Sequence, residues 1–264
     1  MKNNIFFLFL LITMQVNASD TLLCKKNITA DYFTIDVREN IYYINSVNEI
    51  IKTACSDSSF ISYSNSNLGK PTRIDVSNPL KILVFYPDQQ TVVILDNQLA
   101  ELSQLSLKGN VNKPNYQPAA ICKHSGTDHI WLYDELSRKL IRLDEAGNVL
   151  ASSESFDQLF SFDVEVNTLY CVNDKVYIDT KSDGILLFDA YASYVHTIEV
   201  NMQVHQITDN YIIGLNKNAL QFYDLRSLET ISYPIRGDAV YLMGNKIFVH
   251  NGTSIGVFKF QGSN

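Results

Sequence analysis

The feature that most constrains this 264-residue chain is a strand unit that returns about every forty residues. Each copy opens with a short apolar strand carrying a polar residue near its end, then a turn, then a more aromatic strand. Thr34–Val37 followed by Ile41–Ile44 is the first copy, Arg73–Val76 with Ile82–Phe85 the second, and Ala120–Lys123 with His129–Tyr133 the third. Leu169–Val172 with Val176–Ile178, Gln206–Thr208 with Tyr211–Ile213, and Val240–Leu242 with Lys246–Val249 complete the set. A second element closes the copies. Apolar residues run into an aspartate and a turn, as in Val93–Asp96, Leu140–Asp144, Leu186–Asp189 and Leu220–Asp224. The first and last copies hold Ile50–Thr53 and Gly256–Lys259 in this place.

The composition agrees with strands. Fifteen Tyr and 14 Phe alternate with Val, Ile and Leu in runs bounded by Asn, Asp, Gly and Ser. After Ala18 no segment sustains a helical apolar stripe; Asn97–Leu107 alone fits one, and it fits an outer strand after a turn equally well. Repetition of about four strands per unit predicts an all-β fold, a six-bladed β-propeller. The sixth copy stops after three strands, and Thr21–Lys26 is a spare strand ahead of the first. Added outermost to the last blade, it closes the ring and removes an open edge. The alternatives are a two-sheet sandwich or an open solenoid, and a sandwich has no need of this period.

The repeated apolar run, Asp and turn resembles the six-bladed propellers of the NHL and TolB-like groups. Ile74–Ile82 and Ile130–Asp134 carry a likeness to uncharacterised exported bacterial propeller proteins. That resemblance implies a fold and no reaction, because propellers host binding modules, lyases and hydrolases alike.

Export is predicted by the first segment. Lys2 precedes an uncharged apolar run from Ile5 to Met14, and Val16-Asn17-Ala18 supplies the small residues of a cleavage site after Ala18. Residues 1–18 are therefore a signal peptide, 19–264 one propeller domain, and the location periplasmic or secreted. The apolar run is about half of the roughly 20 residues a membrane span needs. The net charge of −7 does not favour phosphate backbones, whose binding needs clustered Lys and Arg. The expected partner is another envelope or secreted protein, with no nucleic acid, no membrane span and a monomeric chain. Four cysteines, Cys24, Cys55, Cys122 and Cys171, fit no zinc spacing. Bridges Cys24–Cys55 and Cys122–Cys171 are the pairings open to them. Cys122 and Cys171 lie in apolar strands, where a buried free thiol is the commoner outcome.

Catalytic signatures are missing: there is no G-x-S-x-G, no Ser-x-x-Lys set and no phosphate-cradling glycine loop. His124 and His129 flank a turn that contains Asp128, the nearest approach to a metal site. His205, Asp36, Asp75 and Asp163 sit where side chains could converge on a central channel. Simpler roles, as turn and rim residues, account for each of them. No metal, cofactor or catalytic residue is assigned. The leading reading is a non-enzymatic binding or scaffold propeller that meets a protein through one loop face; the alternative is a hydrolase or lyase at the channel. Tyr and Arg are favoured anchors of interfaces. Tyr86, Asp88, Tyr116, Asp134, Arg138 and Lys181, all on that face, are the candidate binding residues.

Overall fold

In the strand Ile82–Tyr86 every residue is buried, and the same holds for Ile130–Asp134. A strand with one solvated face would alternate apolar and polar side chains. These strands are packed on both sides, and the architecture follows from that. The computed structural model describes residues 21–260 except 31, 112, 125 and 218. The predicted signal segment and its cut after Ala18 lie outside the described residues.

β1 (Leu22–Asn27) precedes the first blade, which is β2 (Phe33–Ile35), β3 (Ile41–Ile44), β4 (Ile50–Thr53) and β5 (Phe60–Tyr63). The second is β6 (Arg73–Asp75), β7 (Ile82–Tyr86), β8 (Thr91–Leu95) and β9 (Glu101–Ser106). The third is β10 (Pro118–Lys123), β11 (Ile130–Asp134), β12 (Lys139–Leu143) and β13 (Val149–Ser152). The fourth is β14 (Val166–Val172), β15 (Lys175–Thr180), β16 (Ile185–Phe188) and β17 (Tyr194–Ile198). The fifth is β18 (Gln203–Ile207), β19 (Tyr211–Asn216), β20 (Ala219–Asp224) and β21 (Thr230–Tyr233). The sixth is β22 (Ala239–Met243), β23 (Lys246–His250) and β24 (Ser254–Lys259), completed by β1 in the order β1-β24-β23-β22. The six-bladed propeller is thus the fold. Asn97–Leu107 resolves into a turn and the outer strand β9, not a helix.

The core lies between blades. Ile82, Val84 and Tyr86 pack against Tyr42, Ile44 and Ile50 of the first blade. Leu83 and Phe85, one residue out of phase, pack against Ile121, Ile130 and Leu132 of the third. Such alternation places one residue set of every second strand in each of two interfaces. Apolar clusters of this kind fill every junction of the ring, including Phe33, Ile35 and Ile41 against Phe248, Ile255 and Val257 where the ends meet.

Closure rests on β1. It pairs antiparallel with β24 from Leu22 opposite Phe258 to Asn27 opposite Ser254, with a bulge between Leu22 and Cys24. Lys26 Nζ reaches across to the carbonyl of Ala54 in the first blade, and His250 Nε2 meets the carbonyl oxygen of Ile28 at 3.1 Å. Cys24 is bridged to Cys55, between β4 and β5, so a covalent bond ties the last blade to the first. The free thiols expected at Cys122 and Cys171 do not occur. They hold equivalent places on the inner strands of adjacent blades, with Cα atoms 6.0 Å apart, inside bridging reach. No helix among the described residues is long and apolar enough to cross a membrane.

Deleting residues 19–28 leaves β24 as an unpaired apolar edge. The truncated protein is expected to lose cooperative unfolding and to aggregate; calorimetry and size-exclusion chromatography check this. A truncation that melts like its parent and stays monomeric refutes closure by β1. The double variant Cys24→Ser/Cys55→Ser keeps the strand and loses only the staple. It should fold and stay monomeric, with about 3–5 kcal/mol less stability in denaturant titration.

Candidate functional site

The six inner strands, β2, β6, β10, β14, β18 and β22, line a central channel. Arg73 opens β6 and reaches into it. Its guanidinium lies 5.3 Å from the ring centre of Tyr170 and 5.8 Å from that of Tyr32, and Nη2 donates to the carbonyl of Leu169 at 3.2 Å. Cation–π attraction suits arginine here because its planar, weakly hydrated ion stacks on aromatic faces. Tyr241 completes the cluster. The Tyr32 hydroxyl donates to the Ile74 carbonyl at 2.7 Å, and that of Tyr170 to the Val204 carbonyl at 3.2 Å. Burial pushes all three phenols above their ordinary range, so none acts as a base near neutral pH.

This plug divides the channel. On the side of the strands' C-terminal ends lies a cavity of about 190 Å³, lined by Arg73, Asp75, Tyr170, His205 and Met243 among others. On the opposite side lies one of about 180 Å³ that shares Tyr32 and Arg73 and is lined also by Asn167, Thr168 and Leu169. His205 does face the channel, as its place on β18 suggested. Burial lowers its pKa to about 4, and its buried Nε2 has no hydrogen-bond partner among the described residues. It is a neutral imidazole without an orienting carboxylate.

The three carboxylates do not converge. Asp36 accepts the backbone N–H groups of Arg38 and Asn40 and the Tyr42 hydroxyl, which fixes the β2–β3 turn. Asp75 lines the cavity, but both its oxygens accept backbone N–H groups, from Ser77 and Lys123, each at 2.9 Å. Asp163 lies outside the channel, in the connection between the third and fourth blades, paired with Arg138. The His124–His129 hairpin is equally occupied. His124 Nδ1 accepts from Gly126 N–H, and Nε2 contacts Asp174 at 2.7 Å. Asp128 is held by Lys81 and Lys123. No group of three His, Cys, Asp or Glu placed to hold a metal is found among the described residues.

The six candidate binding residues divide evenly. Tyr86 and Tyr116 are buried, filling the interfaces on either side of the second blade rather than offering aromatic surface. Tyr86 is the last residue of β7, and Tyr116 lies in the connection two residues ahead of β10; both side chains turn into a blade interface. Asp134 is also buried. It accepts the N–H groups of Gln117 and Ser137 and the Ser137 hydroxyl, so it holds a turn. Asp88, Arg138 and Lys181 stay at the surface. Arg138 is gripped by Asp157 and Asp163, each at 2.6 Å, and Lys181 by Glu165 at 2.9 Å. One connection, residues 153–165, thereby gathers the loops of the third and fourth blades, with Leu136 and Phe162 exposed nearby. The Arg73–tyrosine plug was missed by residue reasoning. Its signal was a cation opening the short inner strand Arg73–Asp75.

No family model matches the chain, and no curated protein is significantly similar to it in sequence. Solved structures do share its fold. A catalytically inactive virginiamycin B lyase from Staphylococcus aureus, solved with quinupristin, matches with a TM-score of 0.61 at 10% identity, covering 90% of this chain and 99% of that one. A streptogramin B lyase matches with a TM-score of 0.55 at 13% identity, over 87% and 78% of the two chains. The RRP9 WD40 repeats match with a TM-score of 0.60 at 6% identity, over 92% and 100%. At such identities the likeness is one of fold.

Two buried groups titrate in opposite senses. His205, depressed to about 4, binds fewer protons folded than unfolded, so its contribution is present above pH 6.5 and is lost as pH falls toward 4. Asp179, raised to about 6 by burial despite the Asn167 amide at 2.7 Å, binds more protons folded, so its contribution falls as pH rises from 3.8 to 6. The two nearly cancel between pH 4 and 6. Relative to its parent, Asp179→Asn should gain stability with rising pH across this window, by roughly 2 kcal/mol, whereas His205→Gln should lose it. Melting temperatures of both variants measured from pH 4 to 6.5 check the signs.

Proposed function

We propose that this chain is an exported, non-catalytic binding propeller of the bacterial envelope or periplasm. It engages a protein partner through the loop face that carries Asp88, Arg138 and Lys181. The observation that carries this reading is the Arg73 plug. Where a propeller enzyme would assemble an acid, a base or a metal, this channel holds a guanidinium among three tyrosines. The nearby carboxylates are committed to backbone N–H groups. Two disulfides suit an oxidising compartment, in keeping with the signal segment. The loop face offers what a partner needs: exposed Leu136 and Phe162 beside arginine and lysine already oriented by carboxylates.

A second reading, a hydrolase or lyase, is favoured by the unpartnered His205 in the channel cavity and by the fold shared with two lyases. It would need a co-catalyst supplied with the substrate, because nothing beside His205 orients or activates it.

Photo-crosslinking residues placed at 88, 138 and 181 and, on the opposite face, at 174 separate these readings in intact cells. A discrete protein adduct from the first set and none from 174 is the expected outcome. Adducts from 174 alone, or none from any position, would overturn the assigned face.

A further inference from the structure

Between the last two blades lies a groove of about 390 Å³. That volume is within the range of small-molecule sites, roughly 300–1,000 Å³, whereas the channel cavities of about 190 and 180 Å³ fall below it. The groove's walls are apolar: Leu22 of β1, Val249 of β23, Phe258 of β24, and Pro234 and Ile235 after β21. Gly256 leaves the space open, since a Cβ there would stand 2.8 Å from the Phe258 ring and 3.7 Å from Leu22 Cδ1. Leu22 is 52% exposed, an apolar wall left facing water.

Two cations, Lys25 and Arg236, border this surface, and no acidic side chain lines it. Neither cation has an ion-pair or hydrogen-bond partner among the described residues. Lys26, Lys81, Lys123, Arg138, Lys181 and Lys246 are engaged elsewhere; what distinguishes Lys25 and Arg236 is that both border one apolar groove. On a chain of net charge −7 the groove is a local inversion of sign joined to an apolar bed. Apolar walls with a few convergent polar groups are the usual makeup of a ligand site.

We propose that this groove binds a single-chain alkyl carboxylate, with Lys25 and Arg236 holding its carboxylate and Leu22 and Phe258 its chain. A neutral alcohol would leave the cations without a counter-charge, and a cationic amphiphile would be repelled by them. A short acid would leave the apolar walls in water. Because Leu22 and Lys25 lie on β1 and Gly256 and Phe258 on β24, the ligand would span the two strands that close the ring. Binding should therefore slow exchange of their amide hydrogens.

The test is calorimetric titration of the disulfide-intact protein with hexanoate, octanoate and decanoate below micelle-forming concentrations. Dissociation constants should fall about three- to fourfold for each added methylene. The Lys25→Gln/Arg236→Gln variant should melt like the parent and bind octanoate about tenfold more weakly. Leu22→Ser should weaken decanoate more than hexanoate. Slower amide exchange confined to β1 and β24 in the presence of decanoate would place the ligand. Octanol or octyltrimethylammonium binding as well as octanoate, no binding of any acid, or indifference to the charge variant would each overturn the proposal. Binding only to vesicles containing phosphatidylglycerol would also overturn it, in favour of a lipid surface.

Discussion

A four-stranded blade of this chain cannot exist alone, because both of its faces are apolar. Every second strand offers one set of side chains to the blade before it and the other to the blade after it, as Ile82, Val84 and Tyr86 do on one side and Leu83 and Phe85 on the other. A row of such blades would always leave two apolar faces in water, at a cost of about 25 cal/mol for each Å² exposed. Closing the row into a ring is the one arrangement that buries them all. Everything at the junction of first and last blades serves that closure: the β1–β24 ladder, the Cys24–Cys55 bridge, Lys26 reaching the first blade, and Phe33 against Phe248 and Val257.

Closure also creates the channel, and the channel is where the fold meets its hardest electrostatic problem. Inner strands converge, so a long charged side chain on one of them cannot turn outward to water. Arg73 resolves this without a carboxylate in direct contact. Tyrosine faces receive its charge, a backbone carbonyl receives one N–H, and the tyrosine hydroxyls donate to other carbonyls of neighbouring inner strands. The result links the first, second, fourth and fifth blades through polar contacts across the axis. A channel filled in this way contributes to the rigidity of the ring, and recognition is displaced to the loops and to the grooves between blades.

The architecture was legible because burial on both faces writes itself into sequence twice, as apolar, aromatic-rich second strands and as a repeat near forty residues. The spare strand was legible for a topological reason, since three strands at one end demand a fourth from the other. Side-chain direction at strand ends was not. Tyr86 and Tyr116 read as loop aromatics, but Tyr86 ends β7, Tyr116 lies just ahead of β10, and both side chains turn into a blade interface. The Cys122–Cys171 bridge had a usable signal. When the copies are superposed, the two cysteines occupy the same position of successive inner strands, and the spacing of 49 residues is one blade. Spacing alone suggested nothing; register between blades would have paired them.

The acidity of the chain also takes on a different meaning once the turns are inspected. Asp36, Asp57, Asp75, Asp96, Asp134, Asp144, Asp189 and Asp224 each accept backbone N–H groups of the turn that follows. A carboxylate does this better than a neutral acceptor, because the charge strengthens the bond to an N–H that sheet pairing cannot satisfy. In several of these turns the chain then adopts a left-handed residue, such as Glu39 at φ 65° or Gly147 at φ 80°, which the clamped turn holds in place. Six blades require many such turns, so an acidic surplus follows from the fold without any cationic partner. Net charge is therefore a poor guide to what this protein meets. The informative charges are those that the turns do not use, such as Lys25 and Arg236 at one apolar groove.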